Sequence, residues 1–246
     1  MSASRVAALY DIHGNLPALE AVLEDVRGAG VDRIVIGGDV LPGPMPRECL
    51  TQLLDLDLPI QCIQGNGDRE VMAPTGAVPE IYRESMRWNA AQLTAAESQL
   101  LASWPLTCRV PIDGLGEVLF CHATPRNDTE IFTRQTPDEP LMSIFGTLGV
   151  ALAVCGHTHM QFDRTIGTVR VVNAGSVGMP FGEPGAYWLL LGPDVQLRRT
   201  SYDLERAAAR IRATGYPNAD EFASRNVLQP PREADMLAIF SQAELK

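Results

Sequence analysis

Positive charge, histidine and paired cysteine are all in short supply in this 246-residue chain. Twenty Lys and Arg stand against thirty Asp and Glu, a formal net charge of −10. That balance argues against a protein that holds long nucleic acid by its phosphates, and against an anionic membrane surface. A small phosphate-bearing substrate stays open, because a bound cation inverts the local field. The five cysteines form no C-x-x-C pair and are odd in number, so free thiols in a reducing compartment are expected. No apolar run approaches membrane-spanning length, and no charged segment precedes a signal-peptide core, which together give a cytoplasmic expectation.

Hydrophobic residues make up 46% of the chain, enough for one sizeable core. The expectation is a single domain over 1–246 with a helical C-terminal tail from about 203, two small domains being the alternative. Val6 to Tyr10, Ile34 to Ile36 and Ile60 to Ile63 read as short buried strands. Between them, Leu16, Leu19, Val22, Leu23 and Val26, then Cys49, Leu50, Leu53 and Leu54, recur at helical spacing. Strands alternating with helices imply a parallel sheet covered on both faces. A long helical stretch is predicted from Pro79 to Ser103, with Ile81, Met86, Trp88, Leu93, Leu100 and Leu101 as core positions. Further strands are predicted at 107–111, 117–121, 151–155, 162–166, 169–173 and 186–191, with an edge strand at 196–202 and a short helix at 141–148. This second half is hairpin-like, so the predicted fold class is α/β: two packed mixed sheets with flanking helices, an α/β/β/α sandwich.

The four histidines all fall in polar segments at the ends of apolar runs: His13 in Asp11-Ile12-His13, His122 after Val118 to Cys121, and His157 and His159 in Gly156-His157-Thr158-His159. Asp39 and the segment Gly65-Asn66-Gly67-Asp68 have the same placement. Ligands of open α/β sheets bind outside the carboxyl ends of the strands. Carboxylate, imidazole and amide without thiolate suit Mn, Fe, Zn, Ni or Co, and the supply exceeds what one tetrahedral ion needs. Two divalent ions sharing a carboxylate, about 3.5–4 Å apart, fit better.

These segments, in this order, resemble the motif series of the calcineurin-like metallophosphoesterases, and Val172 to Gly178 resembles that family's closing loop. The resemblance runs from Tyr10 to about Gly178 and consumes every histidine. It implies a first metal held by Asp11, His13, Asp39 and His159, and a second held by Asp39, Asn66, His122 and His157, with Asp39 bridging and manganese favoured. It also implies a bridging hydroxide that attacks phosphorus in line. One departure matters: the family often has histidine where this chain has Gly67. Loss of a general acid is typically worth about 10²–10⁴-fold. Relatives without that histidine tend to be phosphodiesterases, so a phosphodiester is favoured over a monoester. A nucleotide diester or a dinucleoside polyphosphate is a candidate substrate, and His at 67 would be expected to raise monoesterase activity.

Other residues carry weaker signals. Asp68 is a candidate for second-sphere support or leaving-group help, and Arg126 for gripping a phosphate, with Arg134 behind it; solvated loop charges are the bland alternative for both arginines. Asp11 and Asp39, each taken alone, read as helix caps or turn residues. Cys121 and Cys155 read as buried small hydrophobes. The tail reads as core cover. The rival functions are a binding scaffold on the same fold without chemistry, a phosphomonoesterase or protein phosphatase, and a nuclease. Oligomeric state is open.

Overall fold

A computed structural model describes residues 2–73 and 80–245, apart from the side chain of Ile81. Its first sheet is built from β1 (Val6–Leu9), β2 (Arg33–Ile36) and β3 (Ile60–Cys62), which run parallel. The helices α1 (Leu16–Ala29) and α2 (Pro46–Leu54) make the crossovers between them. The opening sheet is nonetheless mixed rather than parallel throughout. Its other edge is completed by β9 (Ala186–Leu191), antiparallel to β1, and β10 (Val195–Thr200), giving the order β10-β9-β1-β2-β3. The second sheet has the order β4-β5-β6-β8-β7, from β4 (Thr107–Ile112), β5 (Gly116–Cys121), β6 (Leu152–Cys155), β7 (Phe162–Ile166) and β8 (Val169–Asn173). Its central strands β5, β6 and β8 are parallel, and hairpin partners β4 and β7 close its edges.

Strand alternation sorts the apolar residues into layers. Val6, Ala8, Tyr10 and Val35 face Phe120, Val154 and Val172 between the sheets. Ala7, Leu9, Ile34 and Ile36 point the other way, under Leu19, Val22 and Leu23 of α1 and under Ala208 and Ile211 of α7 (Leu204–Arg212). Leu119, Ala153 and Val171 on the far face of the second sheet lie under Leu141 and Phe145 of α6 (Asp138–Phe145) and under Phe132. The result is the expected four-layered sandwich. After α7 the chain forms α8 (Ala219–Phe222), a π-helical segment (Ala223–Leu228) and α9 (Glu233–Phe240). Phe222, Ala223 and Val227 join the core over the first sheet, so the tail does cover it. No described helix is long and apolar enough to cross a membrane.

The long helix expected from Pro79 to Ser103 is two helices, α4 (Glu80–Gln92) and α5 (Ala95–Ala102), preceded by α3 (Asn66–Met72). Thr94 makes the break. Its hydroxyl accepts from the Glu97 N–H at 3.2 Å, and the Glu97 carboxylate accepts from the Thr94 N–H at 2.6 Å, a capping box that starts α5 afresh. Among the described side chains of the expected core positions only Leu101 is fully buried; Met86 and Leu93 are half-buried against the core, and Trp88 and Leu100 are half-buried. Pro79 and the Ile81 side chain lie outside the described residues. The described side chains of α4 that are buried are polar instead, Ser85 and Asn89. Asn89 accepts from the Gly43 N–H at 3.0 Å and donates to the Ser85 carbonyl at 2.9 Å, so this face meets loop backbone rather than core.

Candidate metal centre

Asp11, Asp39, His122 and His157 follow the carboxyl ends of β1, β2, β5 and β6, and Asn66 opens α3 just beyond β3. Five of these short-loop residues, Asp11, His13, Asp39, His157 and His159, have φ between 47° and 65°. Non-glycine residues pay about 1–3 kcal/mol each for such backbone, which persists only where the surroundings over-determine it. Those surroundings are visible. The Asp11 carbonyl accepts from the Ser176 hydroxyl at 2.7 Å and the Gly178 N–H at 3.0 Å, and the Asp11 N–H donates to the Gly38 carbonyl at 3.1 Å. The His13 N–H donates to the Asp39 carbonyl at 3.0 Å. The His157 N–H donates to Asp11 Oδ2 at 2.9 Å. Each loop thus holds the next.

The side chains converge. Asp11 Oδ1 lies 3.4 Å from His159 Nε2, 3.8 Å from His122 Nε2 and 4.0 Å from His13 Nε2. Asp39 Oδ2 lies 3.5 Å from His122 Nε2 and 3.8 Å from His13 Nε2. The Nε2 atoms of His13 and His159 are 3.2 Å apart. The far nitrogen of three rings is committed to a carbonyl, which can only accept: His13 Nδ1–H to Pro42 O at 3.2 Å, His122 Nδ1–H to Gly37 O at 2.9 Å, and His159 Nδ1–H to Met179 O at 2.7 Å. That fixes Nε2 as the atom each ring presents to the centre. Phe181 stacks on the His159 ring, centroids 5.2 Å apart and planes 23° apart, and Phe240 of α9 lies 6.0 Å behind it.

Electrostatics follow from this crowding. Burial pushes the Asp11 and Asp39 carboxyls up, but the imidazoles beside them more than offset it, and both end below the ordinary carboxylate range. Burial opposes charge on His122, yet Asp39 and Asp11 raise it to about 10. Burial, with His122 alongside, drops His157 to about 4. A proton on His122 therefore balances the carboxylates when no cation does.

One atom tests whether cations fit. Asp11 Oδ1 is fully buried and has no hydrogen-bond partner, although such an orphan acceptor is costly. It faces three ring nitrogens, and two clusters of possible ligands share its residue: Asp11, His13 and His159, and Asp11, Asp39 and His122. Asn66 places one amide atom 3.0 Å from both His122 Nε2 and His157 Nδ1, and 3.2 Å from the Asp128 carbonyl. With the NH₂ there, its two hydrogens serve two of those three acceptors, His122 Nε2 being one only while that ring is neutral, and the amide oxygen accepts from the Gly67 N–H at 3.2 Å. With the oxygen there, it joins two ring nitrogens as a ligand set. The residues present fit divalent cations.

The remaining candidates sit differently. Asp68 is fully buried and bonded to backbone: Oδ2 accepts from the N–H of Asp39 at 2.8 Å and of Gly65 at 3.1 Å, and Oδ1 from that of Leu41 at 3.0 Å. These bonds tie it to the Asp39 loop, the support role of its two expected ones. Burial, then Asp39, raises it to about 7. Arg126 is forked onto Glu130 at 2.7 and 2.9 Å, and Arg134 pairs with Glu233, so both guanidinium groups are engaged. Cys121 and Cys155 are buried thiols. Gly67 has no room for a side chain. A Cβ there would stand 2.5 Å from the Leu41 carbonyl oxygen, 2.9 Å from Pro42 Cδ and 3.0 Å from Asp39 Cγ. The histidine expected to restore monoesterase chemistry at 67 would instead displace the Asp39 loop. Sequence reasoning missed the carbonyls of Gly37, Pro42 and Met179, which carry no side-chain signal, and missed Phe181, a lone aromatic between Pro180 and Gly182.

The model of the calcineurin-like phosphoesterase superfamily domain matches residues 5–192. The chain belongs to that superfamily. A metallophosphoesterase from Sphaerobacter thermophilus has a similar structure, with a TM-score of 0.73 and 28% identity, over 92% of this chain and 100% of that one. The hypothetical protein PH1004 from Pyrococcus horikoshii shares the fold, with a TM-score of 0.78 and 21% identity, over 94% of this chain and all of that one. The uncharacterized protein MJ0912 of Methanocaldococcus jannaschii is 28% identical over 239 residues, covering 86% of this chain and 93% of that protein. The superfamily is one of phosphoester hydrolases, and this chain has two clusters of Asp and His that could hold a divalent metal.

Proposed function

We propose that this phosphoesterase is a two-metal phosphodiesterase. One cation is assigned to Asp11, His13, Asp39 and His159, and the other to Asp39, Asn66, His122 and His157. The observation that carries the assignment is the buried, unpartnered Asp11 Oδ1 among three imidazoles, beside Asp39 Oδ2 lying between His13 and His122. The donor set of oxygen and nitrogen suits manganese, favoured over iron, zinc, nickel or cobalt. Bound there, the cations supply a water of lowered pKa as nucleophile for in-line attack and neutralise charge on the phosphoryl oxygens.

The chain's own contribution is placement. Carbonyls of Gly37, Pro42 and Met179 fix the ring tautomers, and Asp68 fixes the backbone of Asp39. Gly67 supplies no acid to a leaving oxygen and leaves no space for one. A substrate whose leaving group needs little protonation is therefore preferred, which supports an activated or diester bond over an alkyl monoester. Arg126, neutralised by Glu130, is a weak candidate for phosphate binding. The substrate is small; the acidic charge opposes long nucleic acid. Five unpaired cysteines support a cytoplasmic home, and the tail packed on α1 supports treating the chain as one domain.

The test compares bis(4-nitrophenyl) phosphate with 4-nitrophenyl phosphate, manganese present, for wild type and Asp39→Ala. Diester turnover should exceed monoester turnover and vanish in the variant. Monoester preference would overturn the diester assignment; turnover surviving in Asp39→Ala would overturn the site. Metal binding with no turnover of either ester would point to the scaffold.

A further inference from the structure

His13 belongs to a second feature besides the metal centre: it lines a cavity of about 370 Å³ whose far wall is the C-terminal segment. We infer that this cavity holds a nucleoside, carried by the phosphodiester whose phosphate sits at the metals. The inference rests on the two-metal reading above and adds the substrate class to it.

The size lies within the range of about 300–1,000 Å³ common to small-molecule sites. Its lining combines three chemistries. Flat aromatic surface comes from Tyr82 of α4 and from Tyr216, which precedes α8. Tyr82 is 54% exposed, so core packing does not account for it. Tyr216 is held in place edge-on by Trp88, centroids 5.4 Å apart, and by Phe222, 6.2 Å apart. Amide groups come from Asn218 and Asn226. Asn218 spends one amide hydrogen on Ser85 Oγ at 2.9 Å, which leaves its oxygen as an acceptor for the edge of a heterocycle. A guanidinium comes from Arg225, 70% exposed and 3.7 Å from Glu221, an exposed carboxylate that also lines the cavity; at that spacing, longer than a hydrogen bond, the N–H groups of Arg225 stay open to a ligand. A base with two π-faces and a polar edge, attached to an anionic phosphate, matches stacking, amide and guanidinium together; an alkyl chain would leave the last two idle.

Arg225 and Asn226 lie in the π-helical segment Ala223–Leu228. Such segments are rare and recur at functional sites, where the wider turn re-aims side chains. Phe222, Ala223 and Val227 anchor the segment in the core, so the neighbouring Arg225 and Asn226 are carried on a rigid base. Because His13 is common to cavity and centre, a diester with phosphorus at the metals directs its substituent toward these residues.

The test uses the full-length protein with manganese and two substrates, thymidine 5′-(4-nitrophenyl phosphate) and methyl 4-nitrophenyl phosphate. They share a leaving group and differ only in the retained arm. The ratio of kcat/KM should favour the nucleoside by at least about tenfold, and should fall by about tenfold in Tyr82→Ala and in Arg225→Met, chiefly through KM. Both side chains are largely exposed, so the variants should fold. Thymidine 5′-monophosphate binding is measured in parallel by calorimetry on metal-free protein, and should weaken in the same variants. A ratio near one in wild type, or a ratio and a binding constant unmoved by both substitutions, overturns the inference. If neither ester turns over, the two-metal reading has failed and the metal-free binding still decides the cavity.

Discussion

Gly65→Ala adds one methyl group, and the structure fixes where it goes. Gly65 has φ −97° and ψ 170°, which any residue adopts, so alanine costs nothing in backbone conformation. Its Cβ would stand 2.2 Å from Asp39 Oδ1 and 2.5 Å from the Asp39 nitrogen. Ordinary contact needs about 3.5 Å, so the Asp39 carboxylate must retreat by roughly 1 Å. Metal–ligand distances tolerate only about 0.2 Å. Overpacking of this kind costs about 1–3 kcal/mol, and if that strain falls on the bound state the affinity for manganese drops roughly 10–100-fold. Gly28→Ala is the control: a Cβ there meets nothing within 4 Å, and the site lies inside α1. It should stabilise by about 0.5–1 kcal/mol and leave affinity unchanged. Manganese titration by calorimetry, paired with thermal unfolding of the metal-free proteins, reads both effects. A Gly65→Ala protein that binds two manganese ions within twofold of wild type would refute the argument that Asp39 is a ligand held against glycine.

Three other outcomes are expected. Gly67→His should lower turnover of diester and monoester together, because its Cβ collides with the Leu41 carbonyl beside Asp39; a selective gain in monoester turnover would show that the loop yields and that the acid was all the site lacked. Asp68→Asn keeps shape but offers one acceptor oxygen to three backbone N–H groups, so at least one is stranded at about 1–3 kcal/mol; manganese binding should weaken, and unchanged binding would mean the Asp39 loop holds its own conformation. Loading manganese at pH 7.5 should release protons, because His122, raised to about 10, must give one up; affinity should rise as pH climbs toward 10. Equal calorimetric heats in buffers of different ionisation enthalpy would contradict that account.

Much of this was legible because the chemistry sits at the ends of apolar runs. Val6 to Tyr10 marks a buried strand and Asp11 its end; the same logic located Asp39, Asn66, His122 and His157. Periodicity failed where a polar rule overrode it. Thr94 and Glu97 restart the helix after Gln92, and the buried face of α4 carries Ser85 and Asn89 because it meets the Gly43 loop. Strand pairing across long separations was equally hidden. Nothing in Ala186 to Leu191 says that it lies antiparallel beside β1 rather than in the second sheet. Asp68 read either as support or as a leaving-group acid because sequence shows residue type, not direction; three backbone amides determine where it points. The π-helical turn that carries Arg225 and Asn226 left no signal in the apolar spacing, which marks only the burial of Phe222 and Val227.

The claim on which the rest depends is a pair of cations flanking Asp39. Crystals grown with manganese and measured at its absorption edge test it directly. The account predicts two anomalous peaks about 3.5–4 Å apart, one beside His13 and His159, the other beside His122, His157 and Asn66, with Asp39 between them. A single peak, or peaks away from Asp11 and Asp39, would contradict it.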